Sequence, residues 1–248
     1  MEERKSNYDV FKQQALERFL TYDQRKCIDR LQLENDEQFI FIPFCGRVYR
    51  LGRREPVMES VPGNAEGIGG STGEAAEAAA AGNRTVHVSE MAGDGWKEAS
   101  CNEVLTICDL LCHTEAPVVL SGEYCSLESL NRVRGGSSTI LGEGFHARTE
   151  ALFDQNLERL KKAAEELQGV PAGKGDAAYQ IPLFGEISMR FSFYASDEEF
   201  PPKLTIYFDR DICRYLFYET LYYAANLVLE RLQDRIIELK AEEAEMIL

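Results

Sequence analysis

The chain is short of cations: Lys and Arg total 27 against 42 Asp and Glu, a formal net charge of −15 over 248 residues. A field of that sign repels phosphate backbones and anionic lipid surfaces at long range. The densest basic groups, Arg47, Arg50, Arg53 and Arg54 or Arg132 and Arg134, are short, so no nucleic-acid partner is expected. Long apolar runs are missing as well. No stretch approaches the roughly 20 residues needed to cross a bilayer. Met1-Glu2-Glu3-Arg4-Lys5 leads into an amphipathic pattern rather than the apolar region of a signal peptide. The expectation is a cytoplasmic protein with no membrane partner. Histidine is scarce, with three residues. The seven cysteines, Cys27, Cys45, Cys101, Cys108, Cys112, Cys125 and Cys213, are odd in number, scattered, and read as reduced, mostly buried thiols. A phosphate loop is also absent: Gly67-Ile-Gly-Gly-Ser-Thr-Gly73 lacks a following Lys.

What is present suffices for a core, since hydrophobic residues make up 44% and aromatics 10%. Tyr8, Phe11, Ala15 and Phe19 recur at helical spacing and predict a helix over about 7–22. Gln38–Phe44 and Arg47–Leu51 read as two strands around a Cys45-Gly46 turn, with Pro43 pointing to an edge or a bulge. From Arg53 to Arg84 the Gly, Pro, Ala and Glu content offers little to bury and predicts a disordered insertion. Thr85–Ser89 alternates like a strand, and Asn102–His113 has a helical stripe. Ser126 suits a helix cap. Gly135-Gly136 and Gly142–Gly144 bracket a loop, after which a single long helix is predicted over about 145–167, ended by Gly169 and Pro171.

The last third alternates strictly. Ile187, Met189, Phe191 and Phe193 point one way and Ser188, Arg190 and Ser192 the other. Asp197-Glu-Glu-Phe-Pro-Pro202 turns the chain and Lys203–Asp209 alternates again, which makes a hairpin. A long helix from about Tyr215 to Lys240 follows, then a fraying Glu-rich tail over 241–248. The fold class expected is α+β: a mixed or mainly antiparallel sheet of hairpins packed against several helices. The organisation expected is one globular domain over 1–248, interrupted by the insertion at 53–84.

Gly175-Asp-Ala-Ala-Tyr179, Ile181-Pro-Leu183, Asp197-Glu-Glu-Phe-Pro-Pro202, Tyr207-Phe-Asp209, then Tyr215-Leu216 and Glu219 together resemble the C-terminal half of the bacterial and archaeal domain of unknown function 3786. Phe44-Cys-Gly-Arg-Val-Tyr49 and Leu120-Ser-Gly-Glu-Tyr-Cys-Ser-Leu-Glu-Ser-Leu130 are similar to its earlier signatures. The resemblance implies an anaerobe-associated setting near iron–sulfur, corrinoid and one-carbon proteins, without implying an activity. The chain departs from the family in having Phe217-Tyr-Glu-Thr220 where a Pro-Thr-Glu-Asp helix start is usual.

Four places could carry chemistry. Asp197, Glu198 and Glu199, with Asp209 and Asp176, could converge into an oxygen-rich site for Mg²⁺ or Ca²⁺, or supply an acid/base pair; turn chemistry accounts for the same residues. Cys108 and Cys112 share a helix face beside His113, with Cys101 upstream, but they also lie on the apolar stripe. Cys125 or Cys45 with His87 or His146 would make a nucleophile–base pair. Tyr124, Arg132, Arg134 and Arg148 could hold an anionic ligand through guanidinium groups and an aromatic lid. Three readings stay open: a small-ligand or cofactor-binding accessory protein linked to corrinoid or iron–sulfur enzymes, a divalent-cation-dependent enzyme, or an interaction module whose last helix exposes Val228, Leu232 and Ile236 to a protein partner. No particular cofactor is indicated.

Overall fold

The structure, a computed structural model, describes residues 7–62, 95–114, 118–133 and 146–246. In chain order its elements are α1 (Asn7–Leu20), α2 (Gln24–Leu31), β1 (Glu34–Asn35), β2 (Phe39–Phe44), β3 (Arg47–Gly52), β4 (Met58–Pro62), β5 (Lys97–Glu98), α3 (Cys101–His113), β6 (Tyr124–Ser126) and α4 (Leu127–Val133). They continue with α5 (Ala147–Asp154), α6 (Leu157–Glu166), β7 (Val170–Pro171), β8 (Ala177–Phe184), β9 (Ile187–Tyr194), β10 (Lys203–Asp209), a 3₁₀ turn (Ile212–Arg214) and α7 (Tyr218–Glu245). The fold is α+β, with two antiparallel sheets ordered β1-β2-β3-β4-β5 and β6-β10-β9-β8-β7. The chain divides into two compact units, the first comprising 1–119, 184–186 and 214–223 and the second the remainder.

In the first unit the β2–β3 hairpin closes through Cys45 (φ 45°) and Gly46 (φ 72°), the pair of positive angles that a right-twisted two-residue turn demands. The flanking Phe44–Arg47 pair is the hydrogen-bonded one in such a hairpin. The next pair, Pro43–Val48, therefore needs no donor from Pro43 toward β3. On its other side β2 pairs with β1 through Ile40 and Phe41 alone, so Pro43 costs the sheet nothing. The start of the expected insertion is corrected here: Met58–Pro62 forms β4 and buries Met58, Ser60 and Val61. Residues 63–84, and the strand expected at Thr85–Ser89, lie outside the described residues. Ile40, Ile42, Phe44, Tyr49 and Leu51 share the buried face, and Val104, Ile107, Cys108, Leu110 and Leu111 of α3 are buried with them.

A capping box starts α3, with Ser100 and Glu103 bonded reciprocally. Glu103 is itself buried, and it accepts a second bond from the Tyr49 hydroxyl at 2.6 Å, which ties helix to sheet. The stripe expected on α1 is shifted. Phe19 is fully buried, but Tyr8 and Phe11 are exposed and Leu16 takes the inner position. The helix α2 had no apolar pattern to betray it; Asp23 caps it by accepting from Lys26 N–H.

The unusual start of α7 is also resolved. Asp109 of α3 accepts from Phe217 N–H at 2.9 Å and is bonded by the Thr220 side chain, so the cap comes from another helix rather than from the preceding residues. His113, one turn further along α3, lies against the Phe217 ring at 4.1 Å. Burial outweighs these bonds and raises the Asp109 carboxyl above its ordinary range.

In the second unit β8, β9 and β10 form the body of the sheet, with β7 and β6 short at its edges. Met189, Phe191, Phe193, Leu204, Ile206 and Phe208 make the apolar face. Phe153 of α5 meets Phe193 edge-on, and the Tyr179 hydroxyl donates to Glu165 of α6, so these helices cover that face. The single helix expected over 145–167 is two helices. Asn156, buried, turns its side chain back to the Leu152 carbonyl and adopts a non-helical backbone, φ −138°, which breaks the helix. The stop differs too: Gln168 takes the left-handed angle (φ 60°), while Gly169 is needed because a Cβ there would meet Ala164 O at 2.6 Å. Along α7, Val228, Leu232 and Ile236 are buried, and the helix runs to Glu245. Arg235 pairs with Glu166, Glu238 and Glu242, and Arg159 with Glu243, which joins α6 to the end of α7.

Two outcomes follow. Gly175 has φ 139° and its missing Cβ would lie 2.6 Å from Phe193 O, so Gly175→Ala should lower stability by about 1–3 kcal/mol in urea unfolding. For Asp109, a raised folded pKa means its contribution to stability is full at low pH and is lost as pH rises through that value. Thermal unfolding of Asp109→Asn at pH 4 and pH 7 should therefore show the variant gaining on the wild type at pH 7.

Candidate functional site

Four of the family-like segments, Leu120–Leu130, Gly175–Leu183, Asp197–Pro202 and Tyr207–Asp209, lie in the second unit. β6 pairs with the end of β10: Ser126 opposite Tyr207, Cys125 opposite Phe208, Tyr124 opposite Asp209. Asp209 is 1% exposed. Its Oδ1 accepts from Ser121 N–H at 3.1 Å, the Ser121 hydroxyl at 3.0 Å and Asp211 N–H at 2.8 Å, and its Oδ2 accepts from Gly122 N–H at 2.7 Å. Gly122 adopts φ 76°, which lets the chain turn under the carboxylate before β6 begins. Outside this anchor Arg210 pairs with Glu123 at 2.7 Å. As the sequence suggested, Ser126 caps α4 by accepting from Ser129 N–H.

This anchoring places Tyr124 on the polar face of the sheet. Its hydroxyl shares a 2.5 Å hydrogen bond with Ser188 of β9, and the Arg190 guanidinium lies over its ring at 3.5 Å. Arg190 Nε donates to Gln180 of β8 at 2.8 Å. Tyr207 sits directly across from Arg190, and Thr205 across from Ser192. Alternation put Ser188, Arg190 and Ser192 on the face opposite the apolar residues, and there Ser188 and Ser192 are buried and Arg190 is half-buried. Arg190, Ser188 and Gln180 were missed as site residues. The available signal was Arg190 as the single charged residue of the strand Ile187–Tyr194.

Arg132 lies in α4, and Arg134 lies outside the described residues. Arg148 is exposed on α5, which packs on the apolar face, so the sheet separates it from Tyr124.

The carboxylates do not gather. Asp209 closes β10 and Asp197–Glu199 precede its start, so about 20 Å of strand separates them. Asp197 accepts from Glu199 and Phe200 N–H as a turn former, while Glu198 and Glu199 are exposed. Phe200 is 65% exposed, so it does not pin this turn to the core. Asp176 accepts from Ala195 N–H at 2.8 Å and its own N–H donates to Phe193 O, which docks the Gly175-Asp176 turn on the end of β9.

Among the described residues no group of three or more His, Cys, Asp or Glu is placed to hold a metal ion. Burial pushes the Cys27 and Cys112 thiols up to about 11 and raises Cys108 and Cys101 as well, which leaves them protonated at neutral pH. Cys45 forms the β2–β3 turn, Cys125 lies in β6, and His146 precedes α5. Burial lowers the His146 pKa, and His87 lies outside the described residues.

The Asp209 anchor has a measurable consequence. Asp209→Ala would leave the Ser121, Gly122 and Asp211 N–H groups without their acceptor, and should cost on the order of 3 kcal/mol in chemical denaturation. Asp209→Asn, which keeps one carbonyl oxygen, should cost less.

No helix among the described residues is long and apolar enough to cross a membrane. Comparison with curated proteins and with solved structures finds no match. A family model described as Domain of unknown function (DUF3786) matches residues 80–231. That span contains the Leu120–Leu130 run, the Gly175–Tyr179 turn, β9 and β10, and therefore the whole Asp209 anchor and the Arg190–Tyr124 stack, while Phe44–Tyr49 falls before it. The segments that build the polar sheet face are those the family model matches, and the chain belongs to the DUF3786 family.

Proposed function

We propose that this protein is a small-ligand-binding accessory protein, and that its ligand is an anion held on the polar face of the second sheet. One observation carries the reading. Arg190 is a half-buried cation stacked on Tyr124, and among the described residues no carboxylate pairs with it. Other arginines of this acidic chain do find carboxylates. Arg50, Arg159, Arg210 and Arg235 all have them. Holding a guanidinium partly out of water without an anion is unfavourable, and a bound anion would relieve that cost.

The surroundings suit retention of a ligand more than its conversion. Serine, threonine, tyrosine and glutamine side chains line the face, and the carboxylate of Asp209 is occupied by four hydrogen bonds. The corrinoid and iron–sulfur setting implied by the family resemblance is where such a ligand would be sought.

Thermal unfolding at fixed ionic strength tests this. Acetate or inorganic phosphate should raise Tm saturably, by about 3–6 °C at a tenfold excess over Kd. Arg190→Gln should abolish the rise. A wild type indifferent to both anions would sink the reading.

A further inference from the structure

This inference rests on the ligand reading above and specifies the chemistry of what binds. Two contacts fix the Arg190 guanidinium. Its Nε–H is tied to Gln180 Oε1 at 2.8 Å, which holds one edge. Its Cζ is 3.5 Å from the centre of the Tyr124 ring, about the thickness of two stacked π systems. At that separation an edge-on guanidinium would drive a nitrogen into the ring, so the group lies flat on the phenol. The ring is itself held from two directions: the hydroxyl by Ser188 at 2.5 Å and the backbone by pairing with Asp209.

With the plane and the Nε side committed, the Nη1–Nη2 edge remains. Among the described residues neither nitrogen has a hydrogen-bond or ion-pair partner. The acidic residues of the neighbouring strand ends are already engaged, Asp209 by the Ser121–Gly122 turn and Glu123 by Arg210. The hydroxyl-bearing Tyr207 stands opposite Arg190 on the same face.

The geometry points to a fork: we propose that Arg190 reads a two-oxygen anion, a carboxylate or a phosphate monoester, through parallel N–H···O bonds from Nη1 and Nη2. The anion lies in a plane parallel to the Tyr124 ring, and Gln180 is the positioning residue that aims the fork. Such recognition depends on shape as well as charge, so an ammonium cannot replace it. A spherical anion of the same charge gains one bond where a two-oxygen anion gains two.

The test uses the full chain and three probes at matched ionic strength: chloride, acetate and inorganic phosphate. Affinity is read from the saturable rise in Tm for the wild type, Arg190→Lys and Gln180→Ala. In the wild type, acetate or phosphate should act and chloride should not; the stronger of the two assigns carboxylate or phosphate as the class. Arg190→Lys keeps the charge without the fork and should bind at least about tenfold more weakly. Gln180→Ala leaves the charge and releases the Nε edge, and should bind about two- to fivefold more weakly. Undiminished affinity in both variants would overturn the fork while leaving the ligand reading intact. A wild type with no saturable response to acetate or phosphate would overturn both.

Discussion

The two oxygens of Asp209 accept four hydrogen bonds at a position that is 1% exposed. A carboxylate can be buried in this way only if its lone pairs are filled, and here backbone N–H groups and a serine hydroxyl fill them. The consequence reaches beyond the anchor. The Ser121–Gly122 turn is held at the end of β10, β6 leaves it in register with Tyr207, Phe208 and Asp209, and Tyr124 is delivered to the polar face. There its hydroxyl meets Ser188 and its ring supports Arg190. An aspartate with the outward marks of a metal ligand is thus the support on which the aromatic–guanidinium stack stands.

The same logic recurs at smaller scale. Asp176 holds the start of the 195–202 turn, Asp109 caps α7 across from α3, Glu103 closes a capping box while taking the Tyr49 hydroxyl, and Asp197 folds its own turn. Each is a carboxylate spent on backbone or hydroxyl donors. This explains how so acidic a chain folds without gathering its negative charge. Carboxylates of this kind are neutralised in part by the backbone donors they accept, and others at the surface pair with Arg50, Arg159, Arg210 and Arg235. Arg190 differs from those four in having an amide where they have a carboxylate.

Much of the fold was legible in residue order because its signals are local. Strict alternation located β9 and β10, the positive-φ requirement of Cys45-Gly46 placed the first hairpin, and Ser126 marked the start of α4. Errors arose where packing overrode local preference. Asn156 breaks a continuous helical stripe with a buried side-chain bond to Leu152, and α2, too short to show a stripe, buries Cys27 and Ile28. Phe200, apolar and next to two prolines, stays exposed because the Asp197 turn projects it outward.

By itself the sequence determined the α+β class, the alternating strands of the second sheet, the scarcity of metal-binding histidine, and the family resemblance. These depend on composition and on periods of 2 and 3.6 residues, which are written into any short window. Only the tertiary structure decided which polar residues meet. Ser121 and Asp209 are 88 positions apart, and Tyr124 and Ser188 are 64 apart. No local pattern records such separations. The strand order β6-β10-β9-β8 brings them side by side, because antiparallel pairing matches distant residues through the hydrogen bonds of the ladder.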